Sequence, residues 1–206
     1  MYTLYYLQDA CSLATHTILN ELKQTVDLVD FNQLQDPGAI NPLNTVPVLQ
    51  DGDKTLFEGA AIMLYLLEKH QSPMLPQAGP AREQAIEDIL FANATMHPAY
   101  SRLFFIDRNI SDPNAQDEAY QAAAAHINAL WESVEARLQH QPFLGGATAS
   151  AADIMLCVYS RWGAAFSVDL HIGEKTQAML ESIKALPAFT RAVAVEAAVT
   201  HYPRGA

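Results

Sequence analysis

Between residues 73 and 80 the chain changes character, and that change limits its possible folds more than any other feature. Pro73-Met74-Leu75-Pro76-Gln77-Ala78-Gly79-Pro80 places three prolines in eight residues. Neither a helix interior nor a central strand tolerates such a run. Before it, strand and helix patterns alternate; beyond it no strand pattern survives. This order predicts a small α/β domain followed by a larger all-α domain.

Tyr2 to Leu7 is rich in β-formers, and Ser12 to Leu22 reads as a helix with Leu13, Ile18, Leu19 and Leu22 on its apolar stripe. Val26 to Phe31 alternates apolar and polar residues as a second strand. Asp36-Pro37-Gly38 is expected to be a turn, and Asn41-Pro42 another break. Val46 to Gln50 reads as a third strand, Asp51-Gly52-Asp53 as a hairpin, Thr55 to Phe57 as the returning strand, and Glu58 to Lys69 as a helix. The strand–helix–strand half needs a parallel pair and the hairpin an antiparallel one, so a mixed four-stranded sheet with helices is expected over 1–75. Residues 76–82 read as a linker and 83–206 as the helical domain. There the patterns predict a helix from Ala81 to Phe105 kinked at Pro98, a second over Asn114 to Gln139, and a third opened by the capping box Ser150-Ala151-Ala152-Asp153. Shorter helices follow near 174–185 and 188–197, split by Pro187.

The formal net charge of −11 argues against nucleic acid or an anionic membrane surface as a partner, since both are bound mainly through Lys and Arg. No apolar run approaches the roughly 20 residues that span a bilayer. The N-terminus has no pattern of a secretory signal, and the two cysteines, Cys11 and Cys157, read as free thiols, so a cytoplasmic location is expected.

The chemistry points to Cys11, at the turn from the first strand into the first helix. A helix N-terminus offers its dipole and unpaired N–H groups, which favour a thiolate. Such a position suits a nucleophile, or a donor that holds another molecule's thiolate. Cys157 shares an apolar stripe with Ile154, Val158 and Trp162 and reads as core, and Ser150 with Asp153 reads as a folding device. No metal-ligand spacing and no phosphate-cradling glycine loop is present.

Several separated features now stand in a particular order. They are Cys11-Ser12-Leu13, Asn41-Pro42, Val46-Pro47-Val48-Leu49, Glu58-Gly59-Ala60-Ala61-Ile62, His97 with Tyr100-Ser101 and Leu103-Phe104, the Ser150–Asp153 box, and Arg161-Trp162. Over essentially its whole length the sequence resembles the cytosolic glutathione transferases, most closely the bacterial beta class. The resemblance implies a thioredoxin-like domain with a cis peptide before Pro47, then a helical domain. It implies glutathione as co-substrate, no metal, a small hydrophobic electrophile and a homodimer, with a role in detoxification. Carried over residue by residue, glutathione would meet Tyr6, Leu34, Val46, Pro47, Glu58 and Gly59. Glu58 would take its α-ammonium and the Gly59 N–H its α-carboxylate. Cys11 and Ser12 are rival catalysts, and His97 would face the thiol from the helical domain. Tyr100, Phe104, Trp162 and Phe166 would wall a pocket for the second substrate.

The chain departs from the pattern in places. Ala14 stands where a Cys-x-x-Cys would need its second thiol, so only monothiol chemistry is open. Pro98, Leu90 and Ala94 replace a basic residue, an asparagine and a serine of beta-class enzymes, with Asn93 as a possible substitute. Residues 1–75 hold only Lys23, Lys54 and Lys69 as cations, so the glycyl carboxylate of glutathione is left to Arg102 or Arg108. Besides conjugation, the sequence leaves open a thiol transferase cycling through a Cys11–glutathione disulfide, and a non-catalytic binding protein of this fold.

Overall fold

The structure, a computed structural model, describes residues 1–198. The chain folds as two compact units. Met1–Ile86 together with the chain from Lys184 onward forms the first, and Glu87–Ile183 the second.

In the first unit, β1 (Tyr2–Tyr6), β2 (Val26–Asp30), β3 (Val48–Asp51) and β4 (Lys54–Leu56) form one sheet in the order β2-β1-β3-β4. β1 runs parallel to β2, pairing Tyr2 with Val26 and Tyr6 with Asp30, and antiparallel to β3, pairing Tyr2 with Asp51 and Tyr5 with Val48. This is the mixed sheet that the alternating pattern predicts. Asp51 pairs with Lys54 across a two-residue turn, where Gly52 takes φ +59°, a conformation that glycine adopts without a Cβ clash.

Three boundaries differ from the sequence reading, each for a local reason. Phe31 leaves β2 for a 3₁₀ turn whose first N–H is taken up by the Asp30 carboxylate, 2.9 Å from Asn32 N. Asp36-Pro37-Gly38 is not a simple turn: Asp36 caps a one-turn helix, α2 (Pro37–Ile40), by accepting from Ala39 N. β3 starts at Val48, because Pro47 has no N–H to give a ladder.

α1 (Ser12–Glu21) buries Ser12 to Leu19 without a break. A one-sided stripe does not account for that; α3 (Gly59–Lys69) covers it on one side and α9 (Pro187–Ala198) on another. The last described helix thus belongs with the sheet, although the sequence assigns all residues after 82 to the helical domain.

The second unit contains α5 (His97–Asn109), α6 (Pro113–Arg137) and α7 (Ala151–Ser160), with the end of α4 (Pro80–Leu90) and most of α8 (Glu174–Lys184). Between α4 and α5 the backbone passes through π-helical turns over 91–96. Pro98 cannot donate back to Ala94, and the expected kink appears as this change of helical register. The core includes Tyr100, Leu103, Ile127, Trp131, Leu156 and Cys157, and Trp131 Nε1 donates to the Tyr100 hydroxyl at 2.8 Å. The capping box is complete, with Asp153 N donating to Ser150 Oγ at 3.2 Å and Ser150 N to Asp153 Oδ2 at 2.8 Å. The Leu144 N–H also reaches Asp153.

Candidate active site

The turn between β1 and α1 is held by its own hydrogen bonds. Ser12 is fully buried; its hydroxyl donates to the Leu7 carbonyl at 3.1 Å and accepts from the Leu7 N–H at 3.2 Å. Ala10 N returns to Leu7 O, and Leu13 N to Ala10 O. Ser12 therefore fixes the turn and has no free donor for a ligand's sulfur.

Cys11 is half-buried at the head of α1, and its thiol donates to the Val46 carbonyl at 3.1 Å. Burial pushes this thiol up to about 12, with Glu58 adding to the rise, against the lowering pull of the Cys11 and Ser12 backbone N–H groups. Of the two roles the sequence leaves open at this turn, desolvation opposes the thiolate nucleophile, and the geometry is that of an S–H donor.

Val46 is joined to Pro47 by a cis peptide bond, as the family resemblance implies. The approach to it is organised by Asn41, whose Nδ2 donates to Thr45 O and Oγ1, both at 2.9 Å, while its Oδ1 accepts from Leu43 N. Val46 and Leu34 both pack, half-buried, on a cluster of Tyr5, Phe31 and Val48. The two predicted contacts thus share one apolar patch, and Pro47 is buried beside it.

Glu58 precedes α3 with φ +67°, a region that non-glycine residues seldom occupy, and its exposed side chain makes no capping bond to the helix. It is not a plain N-cap. The first N–H groups of α3, beginning with Gly59, have no intrahelical acceptor by construction and face an anion with the dipole's positive end.

Tyr6 is corrected. It is 1% exposed, and its hydroxyl meets no hydrogen-bond partner among the described residues. Burial, then Asp30 and Glu196, raises the phenol to about 12. Tyr6 belongs to the interior. Among the cations, Lys69 is bonded to Asp51, and Lys54 lies 4.0 Å above the Tyr65 ring.

In the second unit, His97 starts α5. Its Nδ1 lies 3.3 Å from Ser101 Oγ, which donates to the His97 carbonyl at 3.0 Å. The ring meets Tyr159 and Trp162 edge-on at 5.0 and 5.1 Å. Burial lowers its pKa, disfavouring the charged imidazolium. Phe104 meets Trp162 at 5.9 Å and Phe166 at 4.8 Å, giving a half-buried aromatic row. Tyr100 meets Trp162 edge-on at 6.4 Å from behind the row, where it is fully buried and its hydroxyl accepts from Trp131. Arg108 sits 5.9 Å over Phe104, and Arg102 is exposed. Ser101 and Tyr159 were missed as partners of His97; the four-residue step from His97 to Ser101 was the available signal. Among the described residues no cluster of His, Cys, Asp and Glu is suited to a metal, and no helix is long and apolar enough to cross a membrane.

Residues 15–74 match the model of the glutathione S-transferase N-terminal domain. A glutathione S-transferase of Xanthomonas campestris, GST-4.5, is 31% identical over 173 residues, covering 81% of this chain and 85% of that protein. The structure of a Xylella fastidiosa glutathione S-transferase superimposes with a TM-score of 0.86 at 29% identity, covering 97% of this chain and 100% of the other. A sphingomonad enzyme complexed with glutathione (TM-score 0.82, 27% identity) and a beta-class enzyme of Sphingomonas chungbukensis (0.81, 26%) each cover 96% of this chain and are covered in full. A thioredoxin-like sheet, a thiol at its first turn and a cis-proline loop define a thiol-handling class of proteins. Within that class, the chain belongs to the glutathione S-transferase family, whose solved members of similar architecture include the bacterial beta class.

Proposed function

We propose that the protein conjugates the glutathione thiolate to small hydrophobic electrophiles. The cysteinyl unit lies along the Val46 backbone beside Leu34 and Pro47, with the γ-glutamyl end at Glu58 and the first N–H groups of α3. Cys11 donates its S–H to the glutathione sulfur and so favours the thiolate. The observation that carries this reading is the Cys11 thiol itself: protonated, and bonded at 3.1 Å to the backbone carbonyl on which the peptide would dock. Ser12 supports the turn. Phe104, Trp162 and Phe166 offer the apolar wall for the electrophile, and His97, held by Ser101, belongs to the same aromatic group.

The raised thiol weighs against a cycle through a Cys11–glutathione disulfide, because the protonated form is the weaker nucleophile. A cytoplasmic homodimer with a detoxifying role completes the proposal, on the strength of the family. The test is retention on immobilised glutathione together with conjugation of a model aryl halide. Conjugation should fall at least tenfold in Cys11→Ala; absence of both retention and conjugation in the parent would refute the proposal. A monomeric mass in solution would refute the dimer.

A further inference from the structure

The Cys11 thiol carries one proton, and in the free protein that proton is engaged: Sγ donates to the Val46 carbonyl at 3.1 Å. On the reading proposed above, the same carbonyl accepts the cysteinyl N–H of glutathione, and the same thiol donates to the glutathione sulfur. A single S–H serves one acceptor well. We propose that glutathione binds by an exchange of hydrogen-bond donors, in which the Cys11 S–H leaves the Val46 carbonyl for the ligand's sulfur while the ligand's N–H takes its place on that carbonyl.

The balance is even. Before binding, the carbonyl has the S–H, and the ligand's N–H and sulfur have water. Afterwards the carbonyl has the N–H and the sulfur has the S–H. No covalent bond in the protein changes; the one bond broken is the ligand's own S–H, whose proton passes to solvent as glutathione binds in its thiolate form. Val46 is half-buried on the Tyr5–Phe31–Val48 cluster, where a carbonyl stripped of its donor is costly, so departure of the thiol is coupled to arrival of the peptide N–H. The turn need not move. Ser12 clamps Leu7 at both its N–H and its carbonyl, Leu13 N is bonded to Ala10 O and Ala14 N to Cys11 O, which leaves rotation of the Cys11 side chain as the only motion required.

The exchange has a direction built into it. A thiolate is a strong acceptor and rewards the departing S–H; the thioether of a conjugated product is a weak one. With product bound, the S–H is drawn back toward Val46 and competes with the peptide N–H. The bond at 3.1 Å therefore favours glutathione over its own conjugates and speeds product release.

The inference rests on the proposed glutathione site, and S-methylglutathione tests the two separately. By calorimetry, Cys11→Ala should bind S-methylglutathione about two- to fivefold more tightly than the parent, the size of one modest hydrogen bond removed from the free state. It should bind glutathione no more tightly, and Cys11→Ser, which keeps a donor, should stay near the parent for both. In the parent, the infrared S–H stretch of Cys11 (the band lost in Cys11→Ala) should move to lower frequency on saturation with glutathione, whose thiolate is a stronger acceptor than the Val46 carbonyl. That readout needs the variant only for assignment, and the buried Cys157 supplies an internal reference band. If neither ligand binds, the proposed site fails. If glutathione binds and the Cys11 band stays where it was, the site stands and the exchange is overturned.

Discussion

His16 Nδ1 stands 3.0 Å from Glu196 Oε1, and both side chains are all but excluded from solvent. The pair ties α1, the helix that begins at the thiol, to α9 at the far end of the described chain. Burial raises the Glu196 carboxyl, while His16 and the Asp9 backbone N–H, inside the turn that leads to Cys11, pull it down. An acid 180 residues from His16 therefore anchors the helix that begins at the thiol.

Breaking such a pair from one side leaves a buried group uncompensated, a loss of about 3–5 kcal/mol. Glu196→Ala should lower stability by that order in urea denaturation, because the buried His16 ring loses its partner. Glu196→Gln keeps the shape and one acceptor oxygen and should cost markedly less. Stability of Glu196→Ala within 1 kcal/mol of the parent would show that the pair contributes little.

Cys11, held near 12 by burial, should alkylate slowly. Thiolate is the reacting form, and its fraction rises about tenfold per pH unit below the pKa. The rate constant for iodoacetamide, followed by intact mass, should therefore keep climbing from pH 7 to pH 10 without a plateau. Cys157 is fully buried and should stay unmodified in the folded protein. A plateau below pH 9 would show an activated thiol and restore the helix-dipole argument.

That argument illustrates what the sequence could and could not reveal. Periodicity, the hairpin glycine and the capping box are local, and β1 to β4 and α7 appear close to where those signals put them. The choice between nucleophile and donor at Cys11 was open because a sequence shows the helix end but not the depth of burial, and here desolvation opposes the thiolate. Tyr6 and Tyr100 lie deeper than expected for the same reason: position along a strand or helix shows which face a residue occupies, not whether a neighbouring element closes over it. Glu196 was unreadable because its partner, His16, lies at the other end of the chain.

Glu135 caps the start of α8 from a neighbouring helix. Its carboxylate accepts from Lys175 N at 3.1 Å and from Thr176 N and Oγ1 at 2.8 and 2.7 Å. Gly173 makes room for it, since a Cβ there would fall 2.3 Å from Glu135 Cδ. Glu135→Ala should cost about 1–3 kcal/mol, as a lost cap with orphaned N–H groups. Gly173→Ala should cost a similar amount by pushing the carboxylate away, and the double variant should cost much less than the sum, because both act on one interaction. Additive losses in a double-mutant cycle would separate the two.

Glu58 poses a trade between stability and binding. Its φ of +67° and ψ of 118° lie where a side chain is strained by about 1–3 kcal/mol, and its carboxylate earns no capping bond in return. A helix needs neither the strain nor the acid at this point; the proposed contact with the α-ammonium of glutathione would use the acid. Glu58→Gly should therefore raise the free protein's stability by about 1 kcal/mol, the relief of strain being partly offset by glycine's greater freedom when unfolded. The same change should weaken glutathione binding at least tenfold by removing the acceptor for the α-ammonium. Glu58→Gln, which keeps an acceptor but not the charge, should keep the strain and lose less affinity. Thermal melts with and without millimolar glutathione read both effects at once: the Glu58→Gly variant should start higher and gain less from the ligand. A variant that starts lower than the parent would show that the backbone at 58 is unstrained, and one that gains as much from glutathione would take Glu58 out of the binding site.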